Sequence, residues 1–222
     1  MYDFLRELGE EGRAILDNAM VTSTHRRHEV VIGQEEQSQD VFFVLEGYAQ
    51  VNLYSVDGKE VAFRSIQAGQ VFGELAAIDG RPRSASVVAT SEPLVVGRLK
   101  MARFREMVEA NPDVMWRLLG HLSHQVREMT GRIYEFSTKP VRQRLVLELV
   151  RQARSAGIRG NGAKIRPAPT HLDIAARISC HREAVSREMS ALRQKGILSK
   201  GGGALNIVDV EGLLAELPDE AD

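Results

Sequence analysis

Seven apolar residues, Met115, Leu119, Leu122, Val126, Met129, Ile133 and Phe136, follow one another at alternating steps of four and three. This is a heptad seam three repeats long, and it limits the fold more than any other feature of the chain. So regular a stripe runs along one side of a helix and is narrower than the face a helix lays on its own domain. It calls for a second helix of the same kind, and a parallel homodimer is the expected arrangement. Asn111-Pro112 starts the helix, because proline suits a first turn. Ser137 to Pro140 ends it, because the residue before a proline is biased out of the helical region. Gly131, which costs ~1 kcal/mol in a helix relative to alanine, is a flex point. The expected divisions are therefore 1–110, 111–138 and 139–222.

Ahead of the seam, from about His25 to Leu99, short apolar runs such as Val41 to Leu45, Val61 to Phe63 and Val87 to Val88 alternate with turn signals. Gly33, Gly47, Asp57-Gly58, Gly69 and Asp79-Gly80 recur at about ten-residue intervals, which predicts an antiparallel sandwich or barrel of hairpins. Residues 1 to 20 read as short helices packed on it, and Met101 to Ala110 as another. Behind the seam, Val141 to Ala153 reads as a helix and Ala156 to Pro169 as a loop region. Thr170 reads as a helix N-cap, with Asp173 at the third position of a capping box. Two helical stretches, a Gly196 C-cap, a hairpin over Ile197 to Asp209 centred on Gly201-Gly202-Gly203, and a last short helix complete the chain. The expected class is α+β, ending in a winged helix-turn-helix.

The formal net charge of -1 hides a strong asymmetry. Residues 1–138 carry 15 basic and 20 acidic residues, residues 139–208 carry 14 basic and 4 acidic, and the last 14 residues add six acids. The basic stretch is suited to a polyanion. Cys180 is the sole cysteine, so an internal disulfide, a cysteine zinc site and an iron–sulfur centre of the oxygen-sensing kind are excluded. No apolar run approaches the ~18 residues of a membrane span, and Met1 to Glu10 do not resemble a signal peptide. A cytoplasmic protein without a membrane partner is expected. No nucleophile, base and orienter stand in a recognisable arrangement and no Walker-type loop occurs, so an enzyme is not expected.

The segment Phe72 to Ser86, FGELAAIDGRPRSAS, gathers groups useful for a phosphate ester. Gly73 permits close backbone approach, Glu74 accepts from a ribose hydroxyl, and Arg83 offers a donor fork for phosphate oxygens. Ser84, with its own amide and that of Ala85, completes an anion nest, and Leu75 and Ala76 fill the string between. The whole segment resembles the phosphate-binding cassette of cyclic-nucleotide-binding domains. That resemblance implies an eight-stranded β-roll of the double-stranded jelly-roll type, Glu74 on the ribose 2′-hydroxyl, and Arg83 with Ser84 on the cyclic phosphate. It also matches Met129 and Thr130 to a base-contacting pair on the dimer helix; Thr130 keeps a hydroxyl and Met129 does not. Cyclic AMP is the expected effector, with cyclic GMP as the other choice.

The segment Thr170 to Leu198 places a first helix around Ala175 and Ala176, a turn near Ile178 to Cys180, and a second helix from about His181. Val185, Met189 and Leu192 face inward at helical spacing, leaving Arg182, Glu183, Ser186 and Arg187 outward. Arginine grips guanine O6 and N7 bidentately, and a carboxylate accepts from the cytosine amino group. The alternative is an exposed helix stitched by a Glu183–Arg187 pair. The segment resembles the recognition helix of the cyclic-AMP receptor and fumarate-nitrate regulator family, and the likeness runs over nearly the whole chain.

It implies a transcription regulator that binds a palindromic double-stranded DNA site with GTGA-like half-sites, and RNA polymerase as a further partner if it activates. Arg182, Glu183 and Arg187 would read bases, while Thr170, Ser179, His181 and Lys200 would touch phosphates. The rival readings are another small-molecule effector, DNA binding without effector, and a haem-based gas sensor. His25, His28, His121 and His124 are available for haem, but they read as structural or solvated, and the His121/His124 pair as surface residues, so no metal site is expected.

Overall fold

The computed structural model describes residues 4–7, 16, 18–55 and 60–218. They fall into two compact units, Met1–Met129 and Thr130–Asp222, and the division lies inside the long helix.

In the first unit, after helix α1 (Phe4–Glu7), come strands β1 (Val21–His25), β2 (Val30–Ile32), β3 (Val41–Glu46), β4 (Tyr48–Tyr54), β5 (Glu60–Gln67), β6 (Val71–Phe72), β7 (Ser86–Ala89) and β8 (Leu94–Leu99). They form two antiparallel four-stranded sheets, ordered β1-β8-β3-β6 and β2-β7-β4-β5. β3 shows why its sequence is apolar without alternation. Val41 and Phe43 point to a core shared with Phe4, Leu16, Phe104 and Leu118, whereas Phe42 and Val44 point between the sheets towards Ala49, Ile66 and Val87. Both faces of the strand are covered, so both sets of positions are hydrophobic.

The Asp57-Gly58 turn lies outside the described residues, as does most of the stretch expected to form the N-terminal helices. Asp79-Gly80, expected as a hairpin turn, instead ends a short helix, α2 (Glu74–Asp79), with Gly80 in the left-handed conformation at its C-cap. Helix α3 (Met101–Ala110) stops before Asn111, and α4 (Pro112–Thr138) begins on the proline as expected. Along α4, Val114, Leu118 and His121 are buried, while the seam residues Met115, Leu119, Val126 and Ile133 stay 42 to 66% exposed on this single chain.

The second unit contains the end of α4 and helices α5 (Val141–Ala156), α6 (His171–Arg177), α7 (Arg182–Gln194) and α8 (Val210–Leu214). A three-stranded sheet runs in the order β10 (Leu198–Gly201), β11 (Ala204–Ile207), β9 (Ala163–Ile165). β9 occupies part of the stretch expected to be only loop, because Ala163 and Ile165 bury their side chains in the core beside Leu145, Leu149, Ile174, Val185 and Leu192. β10 and β11 are joined through Gly202 and Gly203, both at positive φ, as a two-residue hairpin of this kind requires. Thr170 and Asp173 form the full capping box at the start of α6.

Candidate effector cavity and nucleic-acid interface

A cavity of about 220 Å³ opens beside α2 in the first unit. Gly73, Glu74, Leu75, Ala76, Arg83, Ser84 and Ala85, all named from the sequence, line it together. Gly73 has φ +80°, and a Cβ there would stand 2.7 Å from Arg83 Nη1. The close approach is used: Arg83 Nη1 donates to the Gly73 carbonyl at 2.7 Å, Nη2 to the Asp40 carbonyl at 2.7 Å, and Nε to Ser38 Oγ at 3.0 Å. Arginine carries five N–H donors, so one hydrogen on each terminal nitrogen is left for a ligand. The side chain is 2% exposed, and burial draws its pKa down against the pull of Asp40, Glu36 and Glu74.

Glu74 is 3% exposed. Burial pushes its carboxyl up, but the His121 ring, the Arg64 charge and the Gln125 amide together hold it below the ordinary carboxylate range. Gln125 Nε2 donates to Glu74 Oε1 at 2.9 Å and sits 2.6 Å from His121 Nε2. Glu74 is therefore an ionised acceptor, held in place and facing the cavity. His121, read from the sequence as a surface residue, is 1% exposed and stands 3.7 Å from that carboxylate; the correction follows from its place on the buried face of α4.

Sequence reasoning missed the polar lining residues Arg64 and Gln125, whereas Met129, matched by resemblance to the base-contacting pair, does line the cavity. Gln125 was legible as the residue one helical turn after His121 and one before Met129. Arg64 was legible only through register: it pairs across the sheet with Val51, which also lines the cavity. Among the described residues the Arg64 side chain makes no hydrogen bond or ion pair, and burial draws its guanidinium down while Glu74 and Glu128 act on it at longer range. Thr130, matched by resemblance to a base contact, is exposed on α4 and does not line the cavity.

In the second unit Arg182, Glu183 and Arg187 are exposed on the first turns of α7, while Val185, Met189 and Leu192 are buried. The Glu183–Arg187 pair that the spacing allows is not formed, and among the described residues none of the three has a hydrogen-bonding or ionic partner. Ser179 takes a left-handed φ of 50° in the turn before α7. The carbonyls that end α6 are held by cations: Arg132 donates to Arg177 O at 3.2 Å and Arg144 to Ile178 O at 2.7 Å. His171 stands 2.7 Å from Ser186 Oγ. Burial, then the charges of Arg193, Lys200 and Arg182, push its pKa down. Thr170 and His181 are exposed at the starts of α6 and α7, and Lys200 is exposed on β10.

The model of the cyclic nucleotide-binding domain matches residues 23–111, and that of the Crp-like helix-turn-helix domain matches residues 143–216. A cAMP-activated global transcriptional regulator of Pasteurella multocida is 25% identical over 170 residues, covering 75% of this chain and 80% of the relative. FixK2 of Bradyrhizobium japonicum superposes with a TM-score of 0.80 at 19% identity, covering 91% of this chain and 100% of that one. The c-di-GMP-responsive global regulator CLP of Xanthomonas campestris superposes at 0.77 with 15% identity, covering 89% and 98%. Such identities speak for the fold, whereas the two domain models match the two parts of the chain in the order sensor then reader. The chain belongs to the cyclic-AMP receptor protein / fumarate-nitrate regulator family of transcription regulators.

Proposed function

We propose that this chain is a homodimeric regulator that binds a cyclic nucleotide in the cavity beside α2 and reads a palindromic DNA site with α7. The observation that carries the reading is the pairing, in one cavity wall, of a buried ionised Glu74 with an Arg83 guanidinium fixed by backbone carbonyls. A carboxylate for a ribose hydroxyl and a fork for a cyclic phosphate, both held rigid before binding, are what a cyclic nucleotide asks for. Cyclic AMP is the effector implied by resemblance, and the relative from Pasteurella multocida is named for activation by it. Arg182, Glu183 and Arg187 serve as base readers on GTGA-like half-sites, with Thr170, Ser179, His181 and Lys200 towards phosphates.

Gln125 and Met129 line the cavity on the same helix that carries the exposed seam. An effector that favours one setting of α4 thereby favours one setting of the dimer, and a useful coupling is ~1–3 kcal/mol. Two recognition helices related by a two-fold axis match half-sites ~34 Å apart. The test is calorimetric titration of the whole protein with cyclic AMP and cyclic GMP, beside DNA affinity at fixed salt, since phosphate contacts make affinity salt-dependent. Binding that tightens DNA affinity, and that Glu74→Gln and Arg83→Lys each weaken while the fold stays intact by circular dichroism, supports the reading. No binding of either nucleotide overturns it.

A further inference from the structure

The cavity holds a second cation that the phosphate does not account for. Arg64 projects from β5 into the cavity wall as the cross-strand partner of Val51, among Ile32, Leu53 and Val87. Arg83, the other arginine of the cavity wall, has three acceptors within 3.0 Å. Arg64 has none among the described residues. The guanidinium is half-buried against an apolar-lined space, and a ligand's oxygens or nitrogens would supply the acceptors it lacks there. The charges around it show which part of a ligand it would meet. The carboxylates acting on Arg83 are those of Asp40, Glu36 and Glu74, and those acting on Arg64 are Glu74 and Glu128 of α4. Glu74 thus acts on both cations, the phosphate fork of Arg83 and the guanidinium of Arg64, and all three line the same cavity.

Resting on the cyclic-nucleotide reading above, we infer that Arg64 is the base-selecting residue of the cavity, and that it selects a purine with adjacent N7 and O6 acceptors, a guanine-type base, over adenine. With the cyclic phosphate at Arg83 and the ribose hydroxyl at Glu74, the remaining part of the ligand is its base, and it reaches Arg64 and Met129. Guanine offers N7 and O6 side by side, which match the two parallel N–H groups of a guanidinium. Adenine offers N7 beside the N6 amino group, so one N–H of the fork meets another donor. This departs from the cyclic AMP implied by resemblance.

The experiment is competition of cyclic AMP, cyclic GMP, cyclic IMP and cyclic di-GMP for the whole protein, repeated with Arg64→Gln and Arg64→Ala. Cyclic IMP keeps N7 and O6 but lacks the 2-amino group, and it isolates the edge that Arg64 reads. The expected result is cyclic GMP and cyclic IMP each binding about tenfold or more tighter than cyclic AMP, the scale of one good bidentate pair. In both variants that preference falls to within about threefold, because the guanine ligands lose more affinity than cyclic AMP does. Equal or tighter cyclic AMP binding by the unaltered protein overturns the inference while leaving the cyclic-nucleotide reading intact. So does an equal loss of all nucleotides in the variants, which would make Arg64 only a support for Glu74. Cyclic di-GMP binding tightest would assign Arg64 to a second phosphate and also overturn it. Binding of no nucleotide removes both readings.

Discussion

Replacing Glu148 tests how the second unit is held together. The carboxylate is 1% exposed on α5 and stands 3.1 Å from Arg151 Nε, 3.4 Å from Arg177 Nη1 and 3.6 Å from Arg132 Nη2, with Gln152 donating at 2.9 Å. It thereby ties the tail of α4, α5 and α6 to one point. Breaking a buried pair by removing one partner costs ~3–5 kcal/mol. Two of the arginines keep other acceptors, Arg151 on Glu135 at 2.7 Å and Arg132 on the Arg177 carbonyl at 3.2 Å, which places Glu148→Gln at the low end, about 3 kcal/mol. Against a total stability of ~5–15 kcal/mol for a domain, that is a large fraction. Hydrogen exchange on the whole protein is the assay, because the sole tryptophan, Trp116, reports on the other unit. Amides of α5 and α6 should lose protection by two orders of magnitude or so, with the β-roll unchanged. Burial raises the Glu148 pKa, but Arg177, Arg151 and Arg132 outweigh it and hold the pKa below its ordinary 4.5. Its contribution is therefore complete above that pH and is lost as pH falls through the lower folded value, so the variant should be less acid-sensitive in that window. A cost under about 1 kcal/mol, with an unchanged acid profile, would refute the reasoning.

Gly73→Ala forces a Cβ against Arg83 Nη1 at a positive φ, and should abolish nucleotide binding in calorimetry while the DNA unit still melts normally. Thr170→Ala removes the acceptor for the Asp173 amide and should lower stability of the second unit by about 1 kcal/mol, read from denaturant midpoints. Arg187→Ala should cost ~1–3 kcal/mol on the preferred DNA site and flatten preference at one base pair, whereas Lys200→Ala should weaken all sequences alike and reduce the salt slope by about 1. Val126→Asp places a charge on a seam position that is 61% exposed in the single chain, and should yield monomers by sedimentation without lowering helix content. A dimer that survives it would remove the seam from the interface.

The fold was readable where one physical rule governed a stretch. The seam spacing gave the long helix, Pro112 its start, Pro140 the stop after it, and Thr170 with Asp173 the cap of α6, since each is a local backbone preference. Two features escaped because they depend on distant partners. α2 is a short helix between two glycines, which looks like a turn until its first residue, Glu74, finds His121 and Gln125 on a helix some fifty residues away. β9 has three residues and no periodicity of its own; pairing with β11 defines it. The cassette residues of the site were readable as a contiguous string. Arg64 and Gln125 stand far from that string, and only strand register for the one and the helical turn to Met129 for the other carried a signal.

In the basic stretch behind the seam, net charge and function are different quantities. Arg142 and Lys195 are paired with Glu216, Arg151 and Arg177 with Glu148, and Arg144 with the carbonyls that end α6. Those five cations build the reader and are not spare charge for a polyanion. Others, such as Arg154 and Arg159, are exposed, where a solvated charge is ordinary. What points to DNA is the conjunction at α7: Arg182 and Arg187 have no partner among the described residues, and they stand beside a histidine whose protonation is opposed by Arg193, Lys200 and Arg182. The same criterion singles out Arg64 in the cavity wall of the other unit: its charge helps keep Glu74 ionised, but its donor fork has no acceptor among the described residues. An arginine's partners, more than its count, separate the charges that hold this fold from those that await a ligand.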